Sequence, residues 1–164
     1  MPKQPASEIL IQLGVQVGHA FAPSDWFLIS QQMICDFGLV SHDPDPMHIN
    51  PEWAAVESPF GKTIAFGFLT VSLLTALLHS ALKTGVHVAP SITGVYLNYG
   101  FERLRLVEPV PVNARIRGRF ILRNVATDRK NRCIVTFDCT IDIEGVERPA
   151  LVANWLTIWV PPTL

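Results

Sequence analysis

One apolar run, residues 64–85 (IAFGFLTVSLLTALLHSALKTG), constrains the fold more than any other feature. Residues 67 to about 83 are predicted to form one long helix, with Gly85 as its C-cap. Apolar residues cover nearly the whole circumference of this helix, so other groups must surround it. The run carries six Ser, Thr and His residues and lacks flanking basic clusters, which is not the pattern of a membrane span. We therefore expect it to be buried inside a protein core.

The second half of the chain supplies the material that could surround this helix. Four runs rich in Val, Ile, Thr and aromatic residues are predicted strands: residues 91–109, 112–126, 132–145 and 147–160. In the third run apolar and polar residues alternate, and Glu144–Gly145 is predicted to form a tight hairpin turn. The fold class is therefore α+β, with an antiparallel sheet rolled around one long central helix.

Shorter elements are predicted in the first half. A helix is expected from Ser30 to Gly38, preceded by a short strand. A second helix is expected after Asn50, a good N-cap, with Pro51 at its first position. No repeat, low-complexity tract or linker divides the chain, so residues 1–164 are predicted to form a single domain.

Charge and cysteine content indicate the cellular compartment of the protein and the kinds of ligand it could bind. The net charge is −1, but residues 1–82 carry 2 basic and 7 acidic side chains, whereas residues 83–164 carry 11 and 7. The alternating arginines of the second half are predicted to lie on a solvated sheet face, with phosphate contact as the alternative. No basic run is interleaved with aromatic residues, which argues against nucleic acid. Three cysteines without paired spacing and no evident signal peptide predict a cytoplasmic protein that does not bind the membrane.

The stretch SHDPDPMHIN, residues 41–50, concentrates ionisable groups between two predicted helices. It has three possible interpretations: a capping turn, a metal site or part of an active site. The metal interpretation is the weakest, because there is no i, i+4 pair of histidines and no nearby cysteine. Taken alone, the stretch fits a turn, because Asp, Asn and Pro are common turn residues.

The surrounding motifs change that interpretation. In order along the chain, SHDPDPMHIN, ESPFG, IAFGFLT and LNYG resemble the signature of the MaoC-like dehydratase and (R)-specific enoyl-CoA hydratase family. The resemblance covers most of the chain, from about Trp26 to Trp159. It implies the hot dog fold, no metal, no other cofactor, and a homodimer. It also implies hydration of 2-enoyl thioesters to (R)-3-hydroxyacyl thioesters, or the reverse, with CoA or an acyl-carrier protein presenting the acyl group.

The resemblance assigns roles to individual residues. Asp43 and His48 match the catalytic pair that holds and polarises one water, and these residue types suit proton transfer. Gly67 matches the glycine whose N–H binds the thioester carbonyl at the start of a helix, where unpaired N–H groups meet developing negative charge. Thr75, two helical turns further on, matches a position that helps to orient the pair.

Three positions depart from the family pattern and are expected to modify the site. His42 stands where many members have a small or acidic residue, Asp45 replaces the usual Asn, and Phe66 replaces a common His. These departures favour, as an alternative, a non-catalytic subunit that binds acyl thioesters or serves in assembly. A thioesterase on the same fold is a further alternative, because one fold supports several reactions.

Overall fold

The computed structural model describes residues 15–83 and 95–160, and within these residues one antiparallel sheet dominates the architecture. The strands are β1 (Phe27–Leu28), β2 (Val95–Leu106), β3 (Arg115–Thr127), β4 (Cys133–Ile143) and β5 (Leu151–Val160). They lie in the order β1-β3-β4-β5-β2 across the sheet, so β4 lies between β3 and β5, and β5 lies beside β2. The predicted C-cap Gly85 lies outside the described residues.

In the described part of the chain, five helices precede the four long strands, as predicted for this fold class. They are α1 (Gln31–Ser41), α2 (Pro46–Ile49), α3 (Pro51–Glu57), α4 (Gly67–Ser72) and α5 (Leu74–Ala81). The predicted starts of α1 and α3 are confirmed: the Ser30 and Asn50 side chains accept the backbone N–H groups of Met33 and Trp53. None of the described helices is long and apolar enough to cross a membrane.

The predicted end of α1 is wrong. The helix continues through Gly38 to Ser41, and His42 caps it in the left-handed conformation with φ of 57°. Gly38 is buried, and a Cβ there would lie 2.9 Å from Ile49 Cγ2. Its lack of a side chain allows α1 to approach α2 closely rather than to stop the helix.

The predicted long helix is interrupted rather than continuous. Leu73 separates α4 from α5, with ψ of −11° in place of a regular helical value. The hydroxyl of Ser72 donates a hydrogen bond to the Leu69 carbonyl over 2.8 Å. Such bonding from a side chain to the preceding turn competes with the helical ladder and bends helices.

The core lies between α5 and one face of the sheet. Leu74, Leu77 and Leu78 of α5 are buried, and this helix packs against β3. The alternation predicted for β4 is confirmed, because every second residue from the start of the strand is buried. Phe137 sits at the centre of the core. Its ring contacts those of Phe21, Tyr96, Phe120 and Trp155.

The connection between β4 and β5 is longer than the predicted tight hairpin. A turn is present, since the Val146 N–H donates to the Ile143 carbonyl and Gly145 has φ of 75°. However, β5 begins only at Leu151. The connection ends at Ala150, which is buried and borders the pocket described below.

Candidate active site

The loop between α1 and α2 is fixed by backbone hydrogen bonds and caps. The Asp43 N–H donates to the Gly38 carbonyl over 3.0 Å, so the chain turns sharply after His42. Asp45 then caps α2: its Oδ1 accepts the Met47 N–H over 2.9 Å, and Pro46 occupies the first helical position. The Asp45 carboxylate, one of the departures from the family pattern, thus has a structural role in this loop.

His48 is half-buried, and its ring is held by two contacts. Nδ1 lies 2.7 Å from the main-chain oxygen of Ile64. The ring stacks on that of Phe66, with 3.9 Å between centroids and 33° between planes. A carbonyl oxygen only accepts hydrogen bonds, so Nδ1 must carry the proton. In the neutral imidazole Nε2 therefore has a free lone pair and can act as a base.

Phe66 shields one side of the histidine. Only 5% of Phe66 is exposed, and its ring also packs against Phe37 at 5.3 Å. Where many family members are expected to have a second imidazole, this chain therefore has an apolar ring that fixes the plane of His48.

Gly67 begins α4, and no side chain caps this helix start. The first N–H groups of a helix have no partner within it, so they remain available to a ligand. A Cβ at position 67 would lie 2.3 Å from Leu106 Cδ1, which shows how closely β2 approaches this backbone. The glycine keeps the helix start accessible.

His48 and Gly67 line one pocket of about 300 Å³. Its walls are mainly apolar, as expected for a site that holds an acyl group. Thr70 and Glu108 are further polar residues of the lining, and Glu108 pairs with Arg148 at 2.6 Å. The structure thus brings together His48, one member of the predicted catalytic pair, and Gly67, the predicted oxyanion residue.

Two other predicted residues lie apart from this pocket. Asp43 is exposed on the loop, its Oδ1 accepting the Asp45 N–H over 3.3 Å, and it is not part of the pocket lining. Thr75 lines a different pocket of about 260 Å³, between the helix and β2, together with Asn98 and Trp155. His42 is exposed and also lies apart from the His48 pocket, bordering a third pocket that α1, the following loop and α2 line together.

Sequence reasoning missed the contacts that hold His48. Gln31 Nε2 donates to the His48 carbonyl over 2.9 Å, and Gln31 Oε1 accepts the Thr63 hydroxyl hydrogen over 2.5 Å. Nothing in the sequence marks this pairing, because the two residues are far apart along the chain and neither belongs to a motif.

The arginines of β3 have partners on the neighbouring strand. Arg119 binds both oxygens of Asp142, while Arg115 and Arg123 pair with Glu144 and Asp138. Burial raises the pKa of the Asp142 carboxyl, but the hydrogen bonds and charges of Arg119 and Arg117 outweigh it and hold the pKa below its usual range. The solvated sheet face predicted for these arginines is therefore present as cross-strand ion pairs.

Two arginines of β2 are free of such partners. Arg103 and Arg105 are exposed, and among the described residues neither forms a salt bridge. The strand that carries them ends at Leu106, which lines the pocket with His48.

Comparison with solved structures identifies the fold. The (R)-hydratase of A. caviae matches with a TM-score of 0.67 at 22% identity, over 87% of this chain and 96% of that one. A MaoC-like dehydratase from Rhodospirillum rubrum matches with a TM-score of 0.70 at 20% identity, over 92% and 97%. The chain has the hot dog fold that the sequence predicted.

Sequence comparison then identifies the family. The family model described as MaoC like domain matches residues 13–141, and the chain belongs to this family. Nodulation protein N of Rhizobium leguminosarum bv. viciae is 41% identical over 143 residues, 87% of this chain and 86% of the relative. The 3-hydroxyacyl-thioester dehydratase Z of Mycobacterium tuberculosis is 34% identical over 154 residues, 93% of this chain and 97% of the relative.

Proposed function

We propose that this protein is a cytoplasmic hydratase/dehydratase that interconverts 2-enoyl-CoA and (R)-3-hydroxyacyl-CoA esters. The observation that carries the proposal is the shared pocket of His48 and Gly67. In it, a base whose tautomer is set by the Ile64 carbonyl faces a helix start without a side-chain cap. The 34% identity to a 3-hydroxyacyl-thioester dehydratase supports the same reaction class.

The proposed reaction uses a single base. Nε2 of His48 removes a proton from water as the water oxygen bonds to the β-carbon of the enoyl thioester. The electron pair of the double bond moves toward the thioester carbonyl, giving an enolate. Its oxygen lies against the Gly67 N–H at the positive end of α4, a donor worth roughly 3–4 kcal/mol. The imidazolium then returns the proton to the α-carbon, so one water is added and no charge remains.

Asp43 is proposed to hold the second hydrogen of the water. One carboxylate oxygen is engaged by the Asp45 N–H, which leaves Oδ2 for the water. A carboxylate near His48 also stabilises the imidazolium that forms transiently. Asp43 is exposed and lies outside the pocket lining, so this role requires it to approach the bound substrate, and catalytic contacts are often looser before the substrate is bound.

The CoA end of the substrate is proposed to meet Arg103 and Arg105. Both arginines are exposed on β2, and the carboxylates that occupy the β3 arginines are absent around them in the described part of the chain. Guanidinium groups free of carboxylate partners are suited to bind phosphate.

A homodimer formed through β2 is also proposed. β2 pairs only with β5, so the outer edge of this strand is unpaired in the described sheet. Leu97, Tyr99 and Phe101 of β2 and Phe68 of α4 are exposed apolar side chains. A long apolar edge strand promotes pairing with another chain, and an isologous contact between two copies would bury it.

The dimer is tested by light scattering on two single variants. Leu97→Lys places a charge on the proposed interface and is expected to give a monomer of 18.2 kDa. Val146→Lys makes the same kind of change at an exposed residue of the β4–β5 connection and should leave the dimer intact. A wild-type monomer, or a dimer unaffected by Leu97→Lys, would contradict this interface.

The activity is tested with crotonyl-CoA, following both the loss of enoyl absorbance and the release of free thiol. His48→Gln is expected to lower kcat roughly 10²- to 10⁴-fold, and Asp43→Asn to lower it as well. His19→Gln and Asp45→Asn are matched controls expected to stay near wild type, since Asn caps a helix as well as Asp does.

Other results of the crotonyl-CoA assay would point to a different function. Hydration that survives both His48→Gln and Asp43→Asn would reject the assigned residues. Thiol release without hydration would indicate a thioesterase. Binding of the ester without turnover would indicate a non-catalytic subunit, the alternative favoured by the family departures in this chain.

A further inference from the structure

We infer that Gln31 is a positioning residue for His48, an inference that rests on the proposed function of His48 as the base. Gln31 is the first residue of α1 and lies outside both the loop that carries Asp43 and the helix α2 that carries His48. Its side-chain amide joins α2 to the segment that fixes the tautomer of His48.

The orientation of the Gln31 amide follows from its partners. The His48 carbonyl only accepts hydrogen bonds, so the Gln31 nitrogen must face it, at 2.9 Å. The same nitrogen lies 3.3 Å from Cys35 Sγ, which uses its second hydrogen. The amide oxygen then faces Thr63, whose hydroxyl donates to it over 2.5 Å. Each polar atom of this amide is thereby satisfied, and a reversed amide would lose these hydrogen bonds.

Thr63 ties this contact to the ring of His48. It is 1% exposed, and its carbonyl accepts the Val112 N–H over 3.0 Å, so its position is fixed within the fold. The next residue, Ile64, supplies the oxygen that binds His48 Nδ1. Two consecutive residues therefore hold His48 in place. Thr63 holds its main chain through Gln31, and the Ile64 carbonyl holds its ring directly.

Without Gln31 the loop would be held less firmly. Among the described residues, one main-chain hydrogen bond joins α2 to this segment, from the Ile64 N–H to the Met47 carbonyl, and at 3.4 Å it is long. Movement of α2 would lengthen the bond from Nδ1 to Ile64 and allow the proton to sit on Nε2 instead. The base would then be misplaced and partly in the wrong tautomer, while the substrate pocket itself would be unchanged.

Gln31→Leu removes these hydrogen bonds, and Gln32→Leu is the matched control. Gln32 is the next residue of α1 and is exposed, and among the described residues its side chain bonds only to Asp36 on the same helix. With crotonyl-CoA, Gln31→Leu is expected to lower kcat roughly 10- to 100-fold with little change in KM, as a misplaced catalytic group does. Gln32→Leu should match wild type.

Thr63 provides a second test that leaves Gln31 in place. Thr63→Val removes the hydroxyl and should lower kcat in the same direction, whereas Thr63→Ser keeps it and should restore activity. The double variant Gln31→Leu/Thr63→Val should be no slower than Gln31→Leu, because both changes break one network. If Gln31→Leu does not fold, the Thr63→Val and Thr63→Ser variants test the positioning role without it.

A spectroscopic measurement tests the role of Gln31 independently of the proposed hydratase activity. The ¹⁵N shifts of the His48 ring report which nitrogen carries the proton, without any turnover. Wild type should show the Nδ1–H tautomer, and Gln31→Leu a mixture with Nε2–H. The inference is overturned if Gln31→Leu and Gln32→Leu give the same kcat and the same ring spectrum. If wild type hydrates no ester, the proposed function fails, and the ring spectra alone decide the role of Gln31.

Discussion

Gly118 lies where α5 crosses β3, and adding one methyl group there gives a sharp test of the packing. A Cβ at Gly118 would lie 2.5 and 2.8 Å from Phe120 ring atoms and 2.9 Å from Leu77 Cβ. Carbon atoms in contact prefer about 3.5–4.0 Å, so the methyl group would arrive about 1 Å too close. Phe120 is 1% and Leu77 2% exposed, and neither has open space to move into.

Gly118→Ala should therefore destabilise the protein by overpacking. The expected cost is about 1–3 kcal/mol, which lowers Tm by roughly 2–12 °C for a chain of this size. The backbone at this position is anchored on both sides, since Ser24 donates to the Gly118 carbonyl and accepts from its N–H. A shift of β3 that would relieve the contact would break these bonds.

Gly100→Ala is the matched control, because Gly100 is also a strand glycine but a Cβ there meets no atom within 4 Å. It should be neutral or stabilise by up to about 1 kcal/mol. Both variants are compared with wild type by urea and thermal unfolding, with light scattering to show that the oligomeric states agree. A Gly118→Ala variant as stable as wild type, or an equal loss in Gly100→Ala, would refute the packing of α5 on β3.

Three further predictions concern buried and charged groups. The buried Tyr96 hydroxyl has no hydrogen-bond partner among the described residues, so Tyr96→Phe should raise the free energy of unfolding by about 1 kcal/mol; a clear loss in denaturant titration would contradict this. The Asp142 carboxyl has a lowered pKa, so its stabilising effect is present at neutral pH and is lost as the pH falls below about 4. The gap in stability between wild type and Asp142→Asn should therefore be constant near neutral pH and narrow as the pH falls below about 4, and a gap that stays constant down to low pH would exclude this linkage. Cys35 is partly exposed, while burial raises the pKa of the Cys133 thiol to about 11 and also raises the pKa of Cys139. A thiol reagent should therefore label one cysteine quickly in the native protein and all three in urea. Fast labelling of more than one cysteine in the native protein would contradict the fold.

Local patterns were enough to predict much of this fold. The alternation in β4 depends only on which residues prefer to be buried, and the caps at Ser30 and Asn50 depend only on nearby backbone groups. Gly38 was misjudged for the opposite reason, since a glycine that ends a helix and one that admits a neighbouring helix look the same in sequence.

The site was predictable where its residues belong to a motif. His48 and Gly67 meet in one pocket because the loop and the start of α4 adjoin it. The prediction that Thr75 lies two helical turns beyond Gly67 assumed a regular helix, and the interruption at Leu73 lies between them. The contact of Gln31 with Thr63 depends on how distant segments pack, which no local pattern encodes.

The tautomer of His48 is set by a main-chain oxygen, and this has a consequence for how the site tolerates change. The side chain of residue 64 has no part in the hydrogen bond, so its identity is free within the limits of packing, and substituting it does not remove the acceptor. What matters is the path of the backbone through residues 63–65, held by the bonds from Val112 to Thr63 and from Ala65 to Val110. The tautomer of the base is therefore a property of chain geometry, so sequences with different residues at position 64 can share it.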